Sequence, residues 1–458
     1  MVILTIALLP WQGSAQDLEN DSLALVALYN DCNGTNWEGF DSWLVDPIAD
    51  WTDVTVSDVE GSLRVTHVGF KNMTLAGTLP DALGNLTEMS GKIEIHNQPG
   101  LSGVFPAFIW NWTKVERLQI KFCGFSSLDV TGMDQMVNLY EFNTQGTPFE
   151  GEIPVEIFKL PLMRDVYLED GMWTSLPADL PIPTNTPLRR FYINGNQFTD
   201  FPDLTGMVWA SGTKIKIRNN YLTFEDIEPN MWIGSDANVS AFEYSPQETI
   251  GEDMVVLADA GSSVTLESNI EGSAATVFTW IKGVDEIVGD TKDLTLATFD
   301  PATQSGSYFC LGQNPNVPGL DIYTGKKMLY AYAIAQDSDA LVALYTDCNG
   351  TGWGDGFASW LTATLDTWED VTVSWVLNEA GTDSTQRVTH VNFKNMVLTG
   401  TLPTELGNLT EMSGKIEMHN QDGLTGEFPA FSWNWSKVER LQIRSCGVSC
   451  RGGGGRVG

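Results

Sequence analysis

One stretch, RVTHVGFKNMTLAGTLPDALGNLTEMSGKIEIHNQPGL from Arg64 to Leu101, decides the fold of this chain. Apolar residues two apart occur in it twice, as Val68 with Phe70 and as Ile93 with Ile95. Similar pairs follow at intervals of 22 to 26 residues: Leu118/Ile120, Tyr140/Phe142, Val166/Leu168, Phe191/Ile193 and Ile215/Ile217. Such pairs indicate short β-strands with one buried face, because successive side chains of a strand point to opposite sides. The sequence therefore predicts a repeated unit of one strand and one return segment.

The return segments carry a second signature. A glycine and an apolar–proline step follow the strand, as in GTLPDALGNLT from Gly77 and EGEIPVEIF from Glu150. These segments resemble the plant-type leucine-rich repeat. The resemblance implies a curved α/β solenoid with a parallel sheet on its concave side. In that family an asparagine stands three residues after the second apolar residue of the strand. It is present here as Asn196 and Asn220, and in other turns Met73, Cys123 and Gln145 take that place.

The whole N-terminal unit is duplicated. DSLALVALYNDCNGTNW from Asp21 returns as DSDALVALYTDCNGTGW from Asp337, and Arg64–Ser126 returns as Arg387–Ser449. The segment before each array resembles the N-terminal cap of secreted bacterial repeat proteins, with Trp37, Trp43 and Trp51 expected to pack over the open end. A repeat array needs a capping unit. Because the second copy stops without one, we expect a truncated or frame-shifted C-terminus, with a flexible tail as the alternative.

Between the two copies the repeat period is lost. Short strands from Val264 to Cys310 resemble an all-β immunoglobulin-like sandwich, with Trp280 in the place of the buried strand-C tryptophan and Tyr308 in that of the tyrosine-corner residue. Ser268 stands where the first cysteine of that family belongs. Cys310 is therefore expected to be a lone buried thiol in a spacer domain.

The N-terminus predicts export. Val2–Leu9 is apolar but too short to span a bilayer, and Gly13-Ser14-Ala15 fits signal cleavage, although the basic n-region is missing. A buried strand is the alternative. The predicted segments are 1–15 signal peptide, 16–63 first cap, 64–242 leucine-rich-repeat solenoid, 243–335 immunoglobulin-like domain, 336–386 second cap, 387–450 truncated second repeat segment and 451–458 glycine-rich tail.

Charge and motifs exclude several function classes. The chain has 59 acidic against 25 basic residues, a net charge of -34, and so repels nucleic acid and anionic membranes at long range. It has no phosphate-binding loop, nucleophile elbow or HExxH motif. His67 and His96 lie about 13 Å apart along their strands, too far to share an ion. We therefore expect no catalysis, metal or cofactor.

The concave face is the candidate site. Residues alternating with the buried pairs point outward in three rows. By this spacing Leu139, Glu141 and Asn143 belong to the fourth strand of the face, and His67, Gly69 and Lys71 to its first. The rows are richer in basic than in acidic residues, although solvated strands carry mixed charges anyway. The predicted ligand-binding residues are Lys71, Lys92, Arg117, Lys121, Tyr167, Arg190, Tyr192, Lys214, Lys216 and Arg218.

These features predict a secreted or cell-surface protein for recognition and adhesion. A basic, tyrosine-bearing face suits an acidic polysaccharide or an acidic protein segment, through charge-assisted hydrogen bonds and ring stacking. Two alternatives stay open: the ectodomain of a signalling receptor, and the non-catalytic part of a larger secreted enzyme.

Overall fold

The computed structural model describes residues 11–178, 180, 187–259, 261–377, 384–430 and 434–449. The predicted glycine-rich tail lies outside them, as do the first ten residues of the predicted signal peptide. The chain divides into two compact units. The first holds the residues up to Ile250 together with 270–277 and 312–323, and the second holds 251–269, 278–311 and the residues from Thr324 onward.

Strands outnumber helices among the described residues. The helices are α1 Trp11–Asp31, α2 Glu156–Lys159, α3 Phe224–Ile227, α4 Pro301–Gln304 and α5 Tyr332–Asp347. The first fifteen strands are β1 Val54–Val59, β2 Ser62–Val68, β3 Ala76–Gly77, β4 Ser90–His96, β5 Gly100–Leu101, β6 Val104–Phe105, β7 Lys114–Lys121, β8 Ser127–Leu128, β9 Glu141–Asn143, β10 Glu150–Glu152, β11 Asp165–Tyr167, β12 Met172–Ser175, β13 Leu188–Tyr192, β14 Trp209–Lys216 and β15 Val239–Glu243. The others are β16 Met254–Ala258, β17 Val264–Leu266, β18 Val277–Lys282, β19 Glu286–Gly289, β20 Leu294–Leu296, β21 Gly306–Gln313, β22 Asp321–Tyr323, β23 Lys327–Ala331, β24 Val371–Leu377, β25 Ser384–Val391, β26 Ser413–Gln421 and β27 Lys437–Cys446.

A seven-stranded parallel sheet organises the first unit. Its strands lie side by side in chain order, β4-β7-β9-β11-β13-β14-β15, and we call them the first array. The apolar residues that face one another across it are spaced 24 to 27 residues apart: Ile93, Leu118, Phe142, Val166, Phe191 and Ile215, which are buried, and Phe242, which is half-buried. Short parallel pairs β3-β5, β6-β8 and β10-β12 line the return segments. This is an α/β repeat fold of the leucine-rich-repeat type, as the sequence predicts.

The predicted register is wrong in the fourth turn. Phe142 pairs with Leu118 and Val166, so the buried partner that follows it is Thr144, which is fully buried, and not the half-buried Tyr140. The prediction chose Tyr140 because it is more apolar than Thr144, but the register of this short strand is set by its backbone hydrogen bonds to the neighbouring strands. The first predicted turn also differs, because β2 pairs antiparallel with β1 and stays outside the parallel sheet.

Side chains between the turns satisfy buried carbonyl groups. Asn196 Nδ2 donates to Leu168 O at 2.7 Å, and Asn220 Nδ2 donates to Ile193 O at 3.1 Å, as the repeat pattern predicts. Cys123 Sγ donates to Ile95 O at 3.2 Å, which confirms a structural role for this thiol.

Two further residues take the ladder position in turns without asparagine. Gln98 Nε2 donates to Met73 O at 2.7 Å, and Thr147 Oγ1 donates to Ile120 O at 2.9 Å. Thr147 thus takes the role predicted for Gln145, which follows from the corrected register. All these groups remove the cost of unpaired buried carbonyls.

Each cap is an aromatic cluster closed by a buried ion pair. Trp37, Trp43 and Trp51 are buried, and the last two stack with ring centroids 4.9 Å apart, which confirms their predicted packing role. Asp21 on α1 accepts hydrogen bonds from Arg64 Nε at 2.9 Å and from the Val65 amide at 2.8 Å. The carboxylate thus joins the helix to β2.

The second unit contains a mixed sheet with strand order β16-β23-β21-β18-β19 and a separate β17-β20 pair. Trp280 is fully buried, and the Tyr308 hydroxyl donates to Gln304 O at 2.5 Å. Cys310 is buried and free, as predicted, and burial raises the pKa of its thiol to about 11.

The second cap and array repeat the first. Helix α5 carries Asp337, which binds Arg387 Nε at 2.9 Å and the Val388 amide at 2.7 Å. Trp353, Trp360 and Trp368 are buried in the same core. Strands β26 and β27 pair in parallel, and we call them the second array.

Candidate functional site

The first array has an open face, formed by the side chains that alternate with its buried residues. One row is Lys92, Arg117, Glu141, Asp165, Arg190, Lys214 and Ala241. The next is Glu94, Gln119, Asn143, Tyr167, Tyr192, Lys216 and Glu243. Backbone hydrogen bonds between neighbouring turns continue beyond the strand ends and align a third row, which consists of His96, Lys121, Gln145, Glu169, Asn194 and Arg218.

The face is only mildly basic. These rows hold seven Lys or Arg and five Asp or Glu, a net charge of 7 − 5 = +2 on a chain of net charge -34. The rows predicted from the spacing hold eight Lys or Arg and four Asp or Glu. The count changes because Lys71 leaves the rows and Glu243 enters with the seventh strand. The corrected register moves Glu141 beside Arg117, and His67, Gly69 and Leu139 also leave the rows.

Most of the cations have acidic neighbours. Glu94 accepts from Lys92 at 2.6 Å and from Lys71 at 3.0 Å, and Lys71 lies beside β4 rather than within the sheet. Burial alone raises the pKa of Glu94, but the hydrogen bonds from Lys92 and Lys71 outweigh it and lower the pKa to about 2. Both lysines are thus engaged by one carboxylate.

The centre of the face holds two buried carboxylates. Arg117 contacts Glu141 at 2.8 Å. Asp165, which is fully buried, accepts from Arg189 Nε at 2.8 Å. Carboxylates removed from water need such partners, since an unpaired buried charge is costly. The middle of the face is therefore electrically balanced.

The far side of the face differs. Glu243 lies 3.8 Å from Lys216 Nζ and 3.4 Å from Arg218 Nε. Among the described residues, Arg190 donates to the backbone carbonyls of Arg189 and Gly212 and to no side chain. Lys121 and Lys214 form no ion pair with any residue that the structure describes. Arg190, Lys121 and Lys214 are therefore the cations free for a ligand anion.

Two tyrosines lie side by side in the middle row. Tyr167 and Tyr192 face each other across β11 and β13, with ring centroids 5.1 Å apart and planes 86° apart. Lys216 Nζ lies 4.4 Å from the centroid of the Tyr192 ring. The pair presents an aromatic surface with two hydroxyl groups that no described residue binds.

The third row beside the tyrosines has unsatisfied acceptors. Glu169 Oε2 and Asn194 Oδ1 are buried and have no hydrogen-bond partner among the described residues. Asn194 is only 8% exposed. Burial, and then the charge of Asp170, raises the pKa of Glu169 to about 7. A ligand that donates hydrogen bonds would satisfy both groups. Without a partner, each group destabilises the folded state by about 1–3 kcal/mol.

The structure brings nine of the ten predicted ligand-binding residues onto this face, and Lys71 lies at its edge. The predicted ligand-binding residues do not include Glu169 and Asn194. The signal that could have identified them is the shared spacing Tyr167-x-Glu169 and Tyr192-x-Asn194, which puts an acceptor two residues beyond each tyrosine on the same face.

The histidines lie apart from this centre. His96 Nε2 is 3.1 Å from Gln119 Oε1, and burial lowers the pKa values of both His67 and His96. Within the described ranges, no group of three or more His, Cys, Asp or Glu side chains is placed to hold a metal ion. In the same part of the chain, no helix is both long and apolar enough to cross a bilayer.

No family model matches the chain, and no curated protein matches it. Among solved structures it is similar to a plant ice-binding protein, with 19% identity over 51% of this chain and 73% of that one, and a TM-score of 0.40. It is similar to the leucine-rich-repeat ectodomain of the receptor kinase SOBIR1 from Arabidopsis thaliana, with 18% identity over 39% of this chain and 92% of that one (TM-score 0.32). The PEPR1–AtPEP1 structure shares 14% identity over 93% of this chain and 52% of that one (TM-score 0.40). Each identity is below 25% and each TM-score below 0.5, so these similarities say nothing about a ligand or partner of this chain.

Proposed function

We propose that this chain is a non-enzymatic recognition protein, secreted or displayed at the cell surface, that binds a protein segment on the open face of the first array. One observation carries the proposal. The Tyr167–Tyr192 pair lies beside two buried acceptors, on Glu169 and Asn194, that have no partner among the described residues. Unsatisfied buried groups in a native structure require an explanation, and a ligand that donates hydrogen bonds supplies one.

The charges favour a protein segment over a polyanion. Five carboxylates lie in the rows, and three of them, on Glu94, Glu141 and Glu243, bind the cations beside them. A polyanion would meet repulsion from these groups. A peptide offers amide N–H donors for Glu169 and Asn194, apolar side chains for the tyrosines, and carboxylates for Lys214 and Arg190.

The rest of the proposed architecture serves display. We propose that the first array is a curved solenoid and that the mixed sheet with Trp280 and Tyr308 is an immunoglobulin-like spacer. Export through the N-terminal signal peptide belongs to the same proposal. Two wider roles share the binding face: the ectodomain of a signalling receptor, and the non-catalytic part of a secreted enzyme.

An acidic polysaccharide is the second candidate ligand. Arg190 and Lys214 are paired across β13 and β14 and have no carboxylate partner among the described residues. Binding of polygalacturonate that disappears in the Arg190→Glu, Lys214→Glu double variant would favour this ligand class. Unchanged binding in that variant would exclude it.

The protein-segment proposal is tested by selecting a random twelve-residue peptide library on the full chain. Enriched peptides are then measured against Tyr192→Ala and Asn194→Leu. We expect each variant to weaken binding about fivefold or more, because an aromatic anchor or a buried polar contact of this kind contributes about 1–3 kcal/mol. Tyr221→Ala, which changes an exposed tyrosine of the same unit, is the matched control and should bind normally. The proposal fails if no peptide is enriched, or if the enriched peptides bind Tyr192→Ala as tightly as the original chain.

A further inference from the structure

A cleft of about 220 Å³ lies within the second unit. The middle sheet contributes Tyr330 from β23, and the second cap contributes Asp366 together with Trp375 and Gln386 of the β24–β25 hairpin. Trp375 and Gln386 are directly opposite across the two strands. Their side chains therefore lie on the same side of the hairpin and line the cleft together.

Trp375 is unusual among the tryptophans of this chain. Its side chain is 43% exposed. No described residue accepts a hydrogen bond from its indole N–H. The cap tryptophans Trp353, Trp360 and Trp368 are instead buried in the core. Trp375 thus offers both a ring face and a donor to the cleft.

The polar groups around this ring are also available. The Tyr330 hydroxyl and the Gln386 amide have no hydrogen-bond partner among the described residues, and Asp366 is exposed. Burial, and then the nearby charge of Asp366, raises the pKa of Tyr330, which keeps its hydroxyl protonated at neutral pH. The cleft therefore offers donors on Tyr330 and Trp375, an acceptor on Asp366, and a group with both functions on Gln386.

The first cap does not carry this set. In the corresponding hairpin Asp58 pairs with Leu63, in the places of Trp375 and Gln386. Ala49 stands where the second cap has Asp366. The two caps share their buried tryptophans but differ at these three positions. Core packing of the cap therefore does not require this combination of side chains.

We propose that this cleft binds a single neutral sugar ring, with Trp375 as its stacking surface and Tyr330, Asp366 and Gln386 as its hydroxyl partners. A sugar has an apolar C–H face and a rim of hydroxyls that both donate and accept, which matches these groups. The volume lies below the roughly 300–1,000 Å³ of pockets for drug-sized ligands, so it suits one ring rather than a chain. Asp366 and the net charge of -34 oppose an anionic sugar.

The test titrates the full chain with methyl glucoside, methyl galactoside, methyl mannoside and N-acetylglucosamine, using galacturonate as the anionic comparison. Saturation-transfer NMR and tryptophan fluorescence report binding. We expect at least one neutral sugar to bind in the millimolar range and galacturonate not to bind. Trp375→Asp and Gln386→Leu install the residues of the first cap. The first should weaken binding tenfold or more and the second about threefold, as expected for one stacking contact and one hydrogen bond.

Two controls separate this site from the open face. Asp58→Asn in the first hairpin and the Arg190→Glu, Lys214→Glu double variant should bind the sugar normally. The inference is overturned if no neutral sugar binds at 20 mM, if galacturonate binds equally well, or if Trp375→Asp and Gln386→Leu leave the affinity unchanged. Circular dichroism checks that each variant folds. If Trp375→Asp does not fold, Gln386→Leu decides the question.

Discussion

The first and second arrays place nearly the same residues in different surroundings. Strand β7 of the first array and β27 of the second have matching apolar positions, and each pairs in parallel with the strand before it. Leu118 on β7 is fully buried, whereas its counterpart Leu441 is 39% exposed. The difference is the next strand: β9 covers Leu118, and no described strand follows β27. Burial in a repeat protein is therefore a property of neighbouring turns.

The same contrast applies to charge. Arg117 of the first array binds Glu141, a residue of the following strand. Arg440 is its counterpart in the second array, and no following strand supplies a carboxylate among the described residues. A balanced face thus needs at least three consecutive strands. Predictions that compare the two arrays follow from this dependence.

The largest effect is expected from removing the buried leucine. Leu118→Ala should destabilise the first unit by about 2–5 kcal/mol, because it leaves a cavity in a packed core. Leu441→Ala should lower the free energy of unfolding by less than about 1 kcal/mol, since its side chain is already partly exposed to water. Urea unfolding followed by tryptophan fluorescence measures both variants. Equal losses would show that β27 is covered as β7 is, and the comparison would not hold.

A somewhat smaller effect is expected where the two copies agree. Asp21→Ala and Asp337→Ala each remove a fully buried carboxylate from an arginine and a backbone amide. Each should cost about 3 kcal/mol, because the remaining arginine and amide lose their partner. The two losses should be similar, in contrast to the leucine pair. A loss in one copy only would mean that the caps are not equivalent in energy.

The smallest effect concerns pH. The pKa of Glu169 is raised from 4.5 to about 7, so the folded state holds a proton that the unfolded state releases. The stability from this proton is complete below about pH 4 and is lost as the pH rises through 7. Glu169→Gln should therefore be more stable than the original chain at pH 8, on the order of 1 kcal/mol, and similar at pH 4.

Glu417 of the second array is the control of opposite sign. Hydrogen bonds from Lys394 and then Lys415 lower its pKa to about 2, so its contribution is present at neutral pH and is lost as the pH falls through 2. Glu417→Gln should therefore gain no stability at pH 8. Thermal unfolding at pH 4 and pH 8 measures both variants. A Glu169→Gln variant that gains nothing at pH 8 would contradict the assigned burial of this carboxylate.

The repeated strands could be predicted from the sequence because each buried pair is strongly apolar. Ile93 with Ile95 and Phe191 with Ile193 leave one choice of register. The register of the fourth turn could not be predicted from the sequence, because its buried pair is Phe142 with Thr144 and Tyr140 is a more apolar alternative to Thr144. Pattern alone cannot detect a polar residue whose burial is set by the strands on either side.

The candidate site was predicted in part for the same reason. Spacing identified the outward positions, and so placed Tyr167 beside Tyr192. Ion pairs depend on which residues are opposite in neighbouring strands, so the shift at Glu141 changed the charge balance of the face. The cleft at Trp375 lay beyond sequence reasoning, because it joins Tyr330 of the middle sheet to residues of the second cap that begin with Asp366, 36 residues later along the chain.

The side chains that bind the carbonyls of the preceding turn also limit how chain length can change. Gln98 bonds to carbonyls 25 and 28 residues earlier, and an insertion of a few residues would carry the amide past them. Arg64–Ser126 and Arg387–Ser449 accordingly have equal lengths, although their sequences have diverged. The segment between VTVS and RVTHV is six residues in the first hairpin and twelve in the second. Turns that carry such a bond thus tolerate little change in length between the two copies, whereas the cap hairpins differ by six residues.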